Sequence, residues 1–299
     1  MTKDELYREY VWPTAIQRVK DSPTHLLLLP GIMGSELYDE PGASELWVTL
    51  FGYGDHMRGL EFSAVGPTGS TDAPGREVYA PREIVLRPIT DPYGKLLNHP
   101  GLRPGVYPFD WREDMAFEER RLASFLRELA TTVPKVSIVT HSMGGPMLLH
   151  LLGQQPSLAA NIERIVFCAP PFHGAIKPLS AIETGSDVPT PPWGSYQDGV
   201  MRAAASFGGL FQLLVSPRKQ WPMKLPDAGE GSVLIDYPIV SDVDLYTTSA
   251  WSNPYHGPWR EQLLGRAARF RLVRRRQRHS ETLGCGIGQV ALHPATSQA

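Results

Sequence analysis

The chain has 299 residues, 42% of them hydrophobic and 20% charged, with a formal net charge of −2. That length and apolar content can bury a sizeable core and suit one large α/β domain, or a domain with an insertion, better than two small ones. The near-neutral charge excludes a global pull toward nucleic acid or an acidic membrane, and the two cysteines, Cys168 and Cys285, are too few for a disulfide framework.

The opening "MTKDELYREY" mixes acids and bases and lacks the apolar core of a secretory signal. The longest apolar runs, such as "LLLL" at 26–29, fall far short of a membrane span. The expectation is a cytoplasmic protein, with transient membrane-surface contact left open. "THLLLLPG" (24–31) is a continuous apolar run stopped by Pro-Gly, as in a strand buried on both faces. Residues 35–90 are rich in Gly and Pro and are expected to form a small excursion.

"FEERRLASFLRELATT" (117–132) sets Phe117, Leu122, Phe125, Leu126 and Leu129 on one helical face. "KVSIVTHS" (135–142) predicts a buried strand, "GGPMLLHLLGQQP" (144–156) a helix, and "IERIVFCAPP" (162–171) a further strand with Cys168 buried in it. Strand, helix, strand, helix, strand in this order argues for a right-handed, mainly parallel α/β sheet with flanking helices. One domain over 1–299 is expected.

Beyond residue 174 the pattern loosens into Pro, Gly, Ser and Trp, over a stretch too long for a plain loop. An inserted cap at about 175–257 is expected, with a helix at 198–215 and with Trp193, Phe207, Phe211 and Trp221 as candidates to line an apolar acyl channel. "PWREQLLGRAARFRLV" (258–273) returns to helical spacing, and an atypical, arginine-rich tail follows from about 274.

The chemistry concentrates at "VTHSMGGPM" (139–147). A strand ending at Ser142 and a helix starting at Gly144 give the context of a nucleophile elbow, in which a strained turn lifts the serine hydroxyl above the sheet. The match to G-x-S-x-G has one departure, Thr140 in place of the first glycine. An ordinary turn with an N-cap serine is the plainer alternative. An acyl-transfer serine also needs backbone N–H donors for the developing oxyanion. Met143, directly after the serine, and Ile32, in the glycine-flanked turn of "LLLLPGIMGSEL" (26–37), are the candidates.

Six ordered motifs, "PGIMGSEL" (30–37), "ELWVTL" (45–50), "YPFDWR" (107–112), "THSMGGPM" (140–147), "APPFHGA" (169–175) and "FQLLVSPR" (211–218), resemble the lecithin:cholesterol acyltransferase-like family of α/β-hydrolases. The resemblance implies an α/β-hydrolase-like fold with a cap, and ester or acyl-transfer chemistry on lipids. It implies Ser142 as nucleophile, Ile32 and Met143 as oxyanion donors, and Trp47 near the acyl site. Asp110, Trp111 and Arg112 are expected to hold a strand end and its loop together. His141 is expected to point away from the serine, and His173 to lie nearby in a structural role.

In this fold the triad runs Ser, acid, His. Asp244 is the last aspartate and precedes the final helical pattern, and "QDGV" (197–200) falls too early, inside the expected cap, to supply the acid. Glu281 and His293 keep the formal order but stand only twelve positions apart; His256 and His279 are the other candidates. The C-terminal part is therefore expected to be incomplete, and the chain a poor esterase.

The leading expectation is a lipid acyltransferase or serine esterase-lipase of lipid metabolism. It would pass an acyl group from a lipid or other acyl ester to an alcohol or to water. No metal, organic cofactor or nucleic-acid partner is expected. The alternative is a non-catalytic relative that keeps the fold and acyl pocket without a complete triad. A serine peptidase is a weaker third reading, disfavoured by the "FDWR" context.

Overall fold

In the computed structural model, residues 1–39, 45–47, 60–61, 64–66, 69–71, 78–83, 92–172, 174–186, 196–215, 263–264 and 267–268 are described. In chain order the strands are β1 (Leu26–Leu29), β2 (Leu37–Asp39), β3 (Glu45–Trp47), β4 (Ala64–Gly66), β5 (Gly69–Thr71), β6 (Val78–Tyr79), β7 (Gly105–Val106), β8 (Val136–His141) and β9 (Ile162–Cys168). The central sheet has the order β7-β1-β8-β9, and every pairing in it is parallel. All four leucines of β1 are buried, because a strand flanked on both sides and covered on both faces has no solvent side for alternation to express. The Gly/Pro-rich excursion contributes a small antiparallel sheet, β3-β2-β6, and the β4-β5 hairpin.

Helices Met115–Ala130 and Gly144–Gln154 cover one face, over the buried Val136, Ile138 and Thr140 of β8. The other face carries a smaller cluster of Leu28, Tyr93 and Val106, against which Leu96, Leu97 and Val139 pack. Helix Met115–Ala130 starts earlier than its apolar spacing predicts, because Asp114 caps it by accepting from Ala116 N at 2.9 Å. Leu122, Phe125, Leu126 and Leu129 are buried as expected, whereas Phe117 is only half-buried beneath the Arg120 guanidinium.

Three expectations are corrected. Cys168 is exposed, not buried, because β9 is the outer strand of the described sheet and leaves Glu163, Arg164 and Val166 exposed beside it. That strand stops at Cys168 and does not reach 171: Ala169 turns left-handed, at φ +47°, and the following prolines have no N–H for the ladder. The single helix expected at 198–215 is two helices, Gln197–Ala204 and Gly208–Gln212, with Phe207 extended between them. Gly209 then reaches the 109–114 loop, donating its N–H to Arg112 O at 3.1 Å. Of the 258–273 helical pattern, Leu263, Leu264, Ala267 and Ala268 are helical and the rest lies outside the described residues.

The N-terminal helices are a further finding. Thr2 and Glu5 form a capping box for Lys3–Leu6, a wide turn spans Tyr7–Val11, and Trp12–Asp21 follows. The wide turn coincides with Pro13, which has no N–H for a regular helical bond. Leu6, Tyr7, Val11, Trp12, Ala15 and Val19 are buried.

Lys3 enters a buried charge cluster, donating from Nζ to Asp110 Oδ2 at 3.0 Å and to Glu113 Oε1 at 2.8 Å. Arg112, fully buried, grips Asp110 through Nε (2.8 Å) and Nη2 (2.6 Å). Arg121 Nη1 binds Glu113 Oε2 at 2.6 Å and Glu118 Oε1 at 2.9 Å. Burial pushes the Asp110 carboxyl up, but the charges of Arg112 and Lys3 outweigh it and hold the group well below the usual carboxylate range. Glu118 goes the other way. Burial, with Glu113 and Asp110 nearby, pushes it up to about 8 against the pull of Arg121.

An unfolded chain releases the Glu118 proton near 4.5, the folded chain near 8. Between those values only the native state holds the proton, so stability falls as pH rises through the window. Glu118→Gln removes this loss. The Tm of the variant relative to wild type should climb by on the order of a few °C between about pH 5 and about pH 9, by scanning calorimetry. A difference that stays flat across that range would contradict the raised Glu118.

Candidate active site

Strand β8 runs into helix Gly144–Gln154 through Ser142, whose φ is +47°. A left-handed, non-glycine residue costs on the order of 1–3 kcal/mol and persists only where its surroundings over-determine it. Here they do. Ser142 N donates to Cys168 O of β9 at 2.9 Å, and Ser142 O accepts from Gly145 N at 3.0 Å. Both glycines after the serine are required by packing. A β-carbon on Gly144 would lie 2.7 Å from Pro30 O, and one on Gly145 would lie 2.7 Å from Pro170 Cβ and 3.3 Å from Thr140 Oγ1. Gly145 is thus required first by Pro170, with the Thr140 hydroxyl the next atom beyond it. Thr140 is fully buried, and its hydroxyl has no hydrogen-bond partner among the described residues.

The 30–34 turn lies against this elbow. A β-carbon at Gly31 would fall 2.9 Å from Ser142 Cβ and 2.9 Å from His141 Nδ1, so only glycine allows so close an approach. Gly31 N donates to Tyr93 Oη at 2.9 Å, and the same hydroxyl lies 3.0 Å from His141 Nδ1. Gly34 N closes the turn on Gly31 O at 3.0 Å, with Met33 left-handed at φ +58°. The amide N–H groups of Ile32 and Met143 donate to no described residue. Met143 also stands at the start of an 11-residue helix, where orphan N–H groups and the helix dipole favour negative charge.

Aromatic packing ties the surrounding loops together. Trp47, 3% exposed, donates from Nε1 to Met33 O at 3.4 Å and meets Trp111 edge-on at 5.4 Å. Trp111 donates to Ser35 O at 3.2 Å and meets Phe207 edge-on at 5.6 Å. Gln212 accepts from Met115 N at 2.7 Å and donates to Asp114 at 2.8 Å. Met143, fully buried, packs under Gly209: a β-carbon there would lie 2.7 Å from its Cε. Phe207 and Phe211 are buried in this packing; Trp193 and Trp221 lie outside the described residues.

His141 is half-buried and held by Tyr93, and burial lowers its pKa. His150 pairs with Glu119 at 2.7 Å between the two covering helices, and His99 accepts from Gly101 N at 3.2 Å. Among the described residues no histidine hydrogen-bonds to Ser142. His173, His256, His279, Glu281 and His293 lie outside them. Asp198 of "QDGV" is exposed in the first turn of helix Gln197–Ala204. Tyr93 escaped the sequence reading: nothing in "DPYGKLL" marks a tyrosine as facing a turn sixty residues upstream.

The strain at Ser142 gives a stability test. Ser142→Ala and Ser142→Gly both delete the hydroxyl, but only glycine accepts φ +47° without cost. The glycine variant should be the more stable by on the order of 1 kcal/mol in urea unfolding, the reverse of the order at an unstrained site. Equal stability, or a more stable alanine variant, would remove the strain argument.

The model of the family described as lecithin:cholesterol acyltransferase matches residues 95–207. No curated protein sequence matches the chain. A solved structure described as "The crystal structure of Tle4-Tli4 complex" is similar with a TM-score of 0.48 and 15% sequence identity, over 83% of this chain and 71% of that one. No described helix is long and apolar enough to cross a membrane. The matched residues run from the helix after Tyr93 through "FDWR" and the Ser142 turn to Phe207, and over them this chain, built on a mainly parallel sheet with flanking helices, is similar to the lecithin:cholesterol acyltransferase family.

Proposed function

We propose that the chain is a serine acyltransferase or esterase acting on a lipid or related acyl ester. The observation that carries this reading is the left-handed Ser142 at a strand–helix junction, with the Gly31 backbone against its β-carbon. The family match supports an acyl-ester hydrolase or acyltransferase kind of chemistry.

Ser142 Oγ attacks the ester carbonyl carbon and forms the C–Oγ bond, and the carbonyl π pair moves onto oxygen. The N–H groups of Ile32 and Met143 receive that oxyanion. Collapse restores the carbonyl and expels the alcohol, leaving an acyl-serine. The proton of Oγ goes to a histidine base that delivers it to the leaving alkoxide. A second alcohol, or water, gives its proton to the same base and attacks the acyl-serine carbon, and collapse breaks the C–Oγ bond as the base returns that proton to Oγ. His256, His279 and His293 are the candidates, with Glu281 the candidate acid.

Segment 175–257 serves as the cap over this site, and its described part supports the reading by being bound to the 109–114 loop through Gly209 and Gln212. Trp47 forms the wall behind the oxyanion turn through its bond to Met33 O.

Hydrolysis of p-nitrophenyl butyrate and labelling by a fluorophosphonate test the proposal. Wild type should hydrolyse the ester slowly and carry the phosphonate on Ser142, and Ser142→Ala should abolish both the labelling and the serine-dependent rate. An Ser142→Ala variant that keeps its rate would refute Ser142 as nucleophile. A wild type that neither turns over nor labels would leave the non-catalytic relative as the correct reading. Alanine replacement of each candidate histidine in an active chain identifies the base.

A further inference from the structure

We propose that Tyr93 is the positioning residue of the oxyanion turn, acting through its hydroxyl on the Pro30–Gly31 peptide, the unit before the one that carries the Ile32 N–H. This rests on the reading of Ser142 and Ile32 given above.

The argument runs along the backbone of the turn. The Gly31 carbonyl and the Ile32 N–H belong to one rigid, planar peptide unit and point in opposite directions. Gly34 N holds the carbonyl end of that unit by its 3.0 Å bond to Gly31 O. Aiming the Ile32 N–H then needs a second fixed point, since one bond leaves the unit free to pivot. Tyr93 supplies it from the adjoining Pro30–Gly31 unit: by accepting from Gly31 N at 2.9 Å it holds the Gly31 Cα about which the Ile32-bearing unit would turn. The turn wraps the hydroxyl closely: a β-carbon on Gly34 would lie 2.6 Å from Oη.

The tyrosine is itself fixed at both ends. Its ring is buried, 5% exposed, with Leu28 of β1 and Val106 of β7, so it is seated on the sheet. Its hydroxyl lies 3.0 Å from Nδ1 of His141, the residue before the nucleophile, and the two rings meet edge-on at 5.6 Å. Burial raises the Tyr93 pKa and lowers that of His141, so both are neutral at pH 7. With the Nε2–H tautomer assigned to His141, both contacts of the hydroxyl are hydrogen bonds. It accepts from Gly31 N–H and donates its own hydrogen to an unprotonated His141 Nδ1. One group thereby ties the strand that presents the nucleophile to the turn that presents an oxyanion donor. Without it, the Gly31 N–H is a buried donor with no partner and the turn is free to move from Ser142.

Tyr93→Phe keeps the ring and deletes the hydroxyl. The expected result is a loss of kcat/KM on p-nitrophenyl butyrate of about tenfold to a hundredfold, carried by kcat with KM little changed, as for a misplaced and not a deleted donor. Affinity for a trifluoromethyl ketone, which adds to the serine as an oxyanion, should fall by the same factor. Hydrogen exchange of the Gly31 amide should quicken more than tenfold. His141→Leu should show the same paired loss, and His141→Asn, which keeps an acceptor near the Nδ1 position, a smaller one; this pair decides the matter if Tyr93→Phe does not fold.

Unchanged kcat/KM in Tyr93→Phe, or a rate loss with unaltered trifluoromethyl ketone affinity, overturns the positioning role while leaving Ser142 as nucleophile. Unchanged Gly31 exchange overturns the latch itself. A wild type inactive in both the ester and the labelling assays overturns the acyl-enzyme reading beneath it, and with it the catalytic role of Tyr93; Gly31 exchange then reports only whether the hydroxyl bond is made.

Discussion

A β-carbon on residue 31 would sit 2.9 Å from the β-carbon of Ser142, closer than two such atoms approach in proteins. The chain meets that constraint with glycine, and much else around the site follows from it. The turn after β1 is pressed against the end of β8, where Ser142 holds its left-handed backbone. The strain is held because both neighbours of the turn are hydrogen-bonded: Cys168 O takes the serine N–H, and Gly145 N takes the serine carbonyl. Gly144, in turn, lets the following helix start against the carbonyls of Leu29 and Pro30. Three glycines on two strand ends thus fix one serine.

The buried charge cluster performs a different task at the opposite end of the "FDWR" loop. Buried ion pairs are poor net sources of stability, because desolvation offsets much of the Coulomb gain, yet removing one partner is costly. Asp110 with Arg112 and Lys3 therefore specifies a geometry more than it adds free energy. Its consequence is positional. With Asp110 and Arg112 locked, Trp111 between them has one orientation, from which it meets Trp47 on one side and Phe207 on the other. Trp47 bonds the oxyanion turn at Met33, and Phe207 leads into the Gly208–Gln212 helix. A run of aromatic contacts joins the turn, the "FDWR" loop and the segment read as a cap.

A continuous apolar run made β1 legible as a strand buried on both faces, whereas β8 alternates buried with half-buried positions and was legible from its β-branched residues ahead of the serine turn. The serine turn was legible for a related reason: strand, serine, glycine and helix follow each other within a few residues. What the sequence hid depends on distant partners. Lys3 looks like any N-terminal surface lysine until Asp110 and Glu113 arrive from more than a hundred residues away. Cys168 lies in an apolar run that reads as buried, but the run belongs to an outer strand of the described sheet. The helix expected to continue through 198–215 breaks at Phe207, ahead of the poor helix formers Gly208 and Gly209, and Gly209 bonds the distant Arg112 carbonyl. Tyr93 has no local signature at all.

The departure at Thr140 shows how such a motif tolerates change. In a G-x-S-x-G elbow the serine sits on a sharp, strained strand-to-helix turn, and the residues either side of it are crowded. Here Thr140 is fully buried at that place, with its hydroxyl 3.3 Å from where a Gly145 β-carbon would be. Gly145, the second residue of the helix, carries no side chain, and Pro170 presses on that position more closely, at 2.7 Å, than Thr140 does. The demand at this site is on the space left between Thr140, Gly145 and Pro170, and a buried threonine meets it where no β-carbon stands across from it. Ser142 keeps its left-handed backbone with that threonine two positions before it.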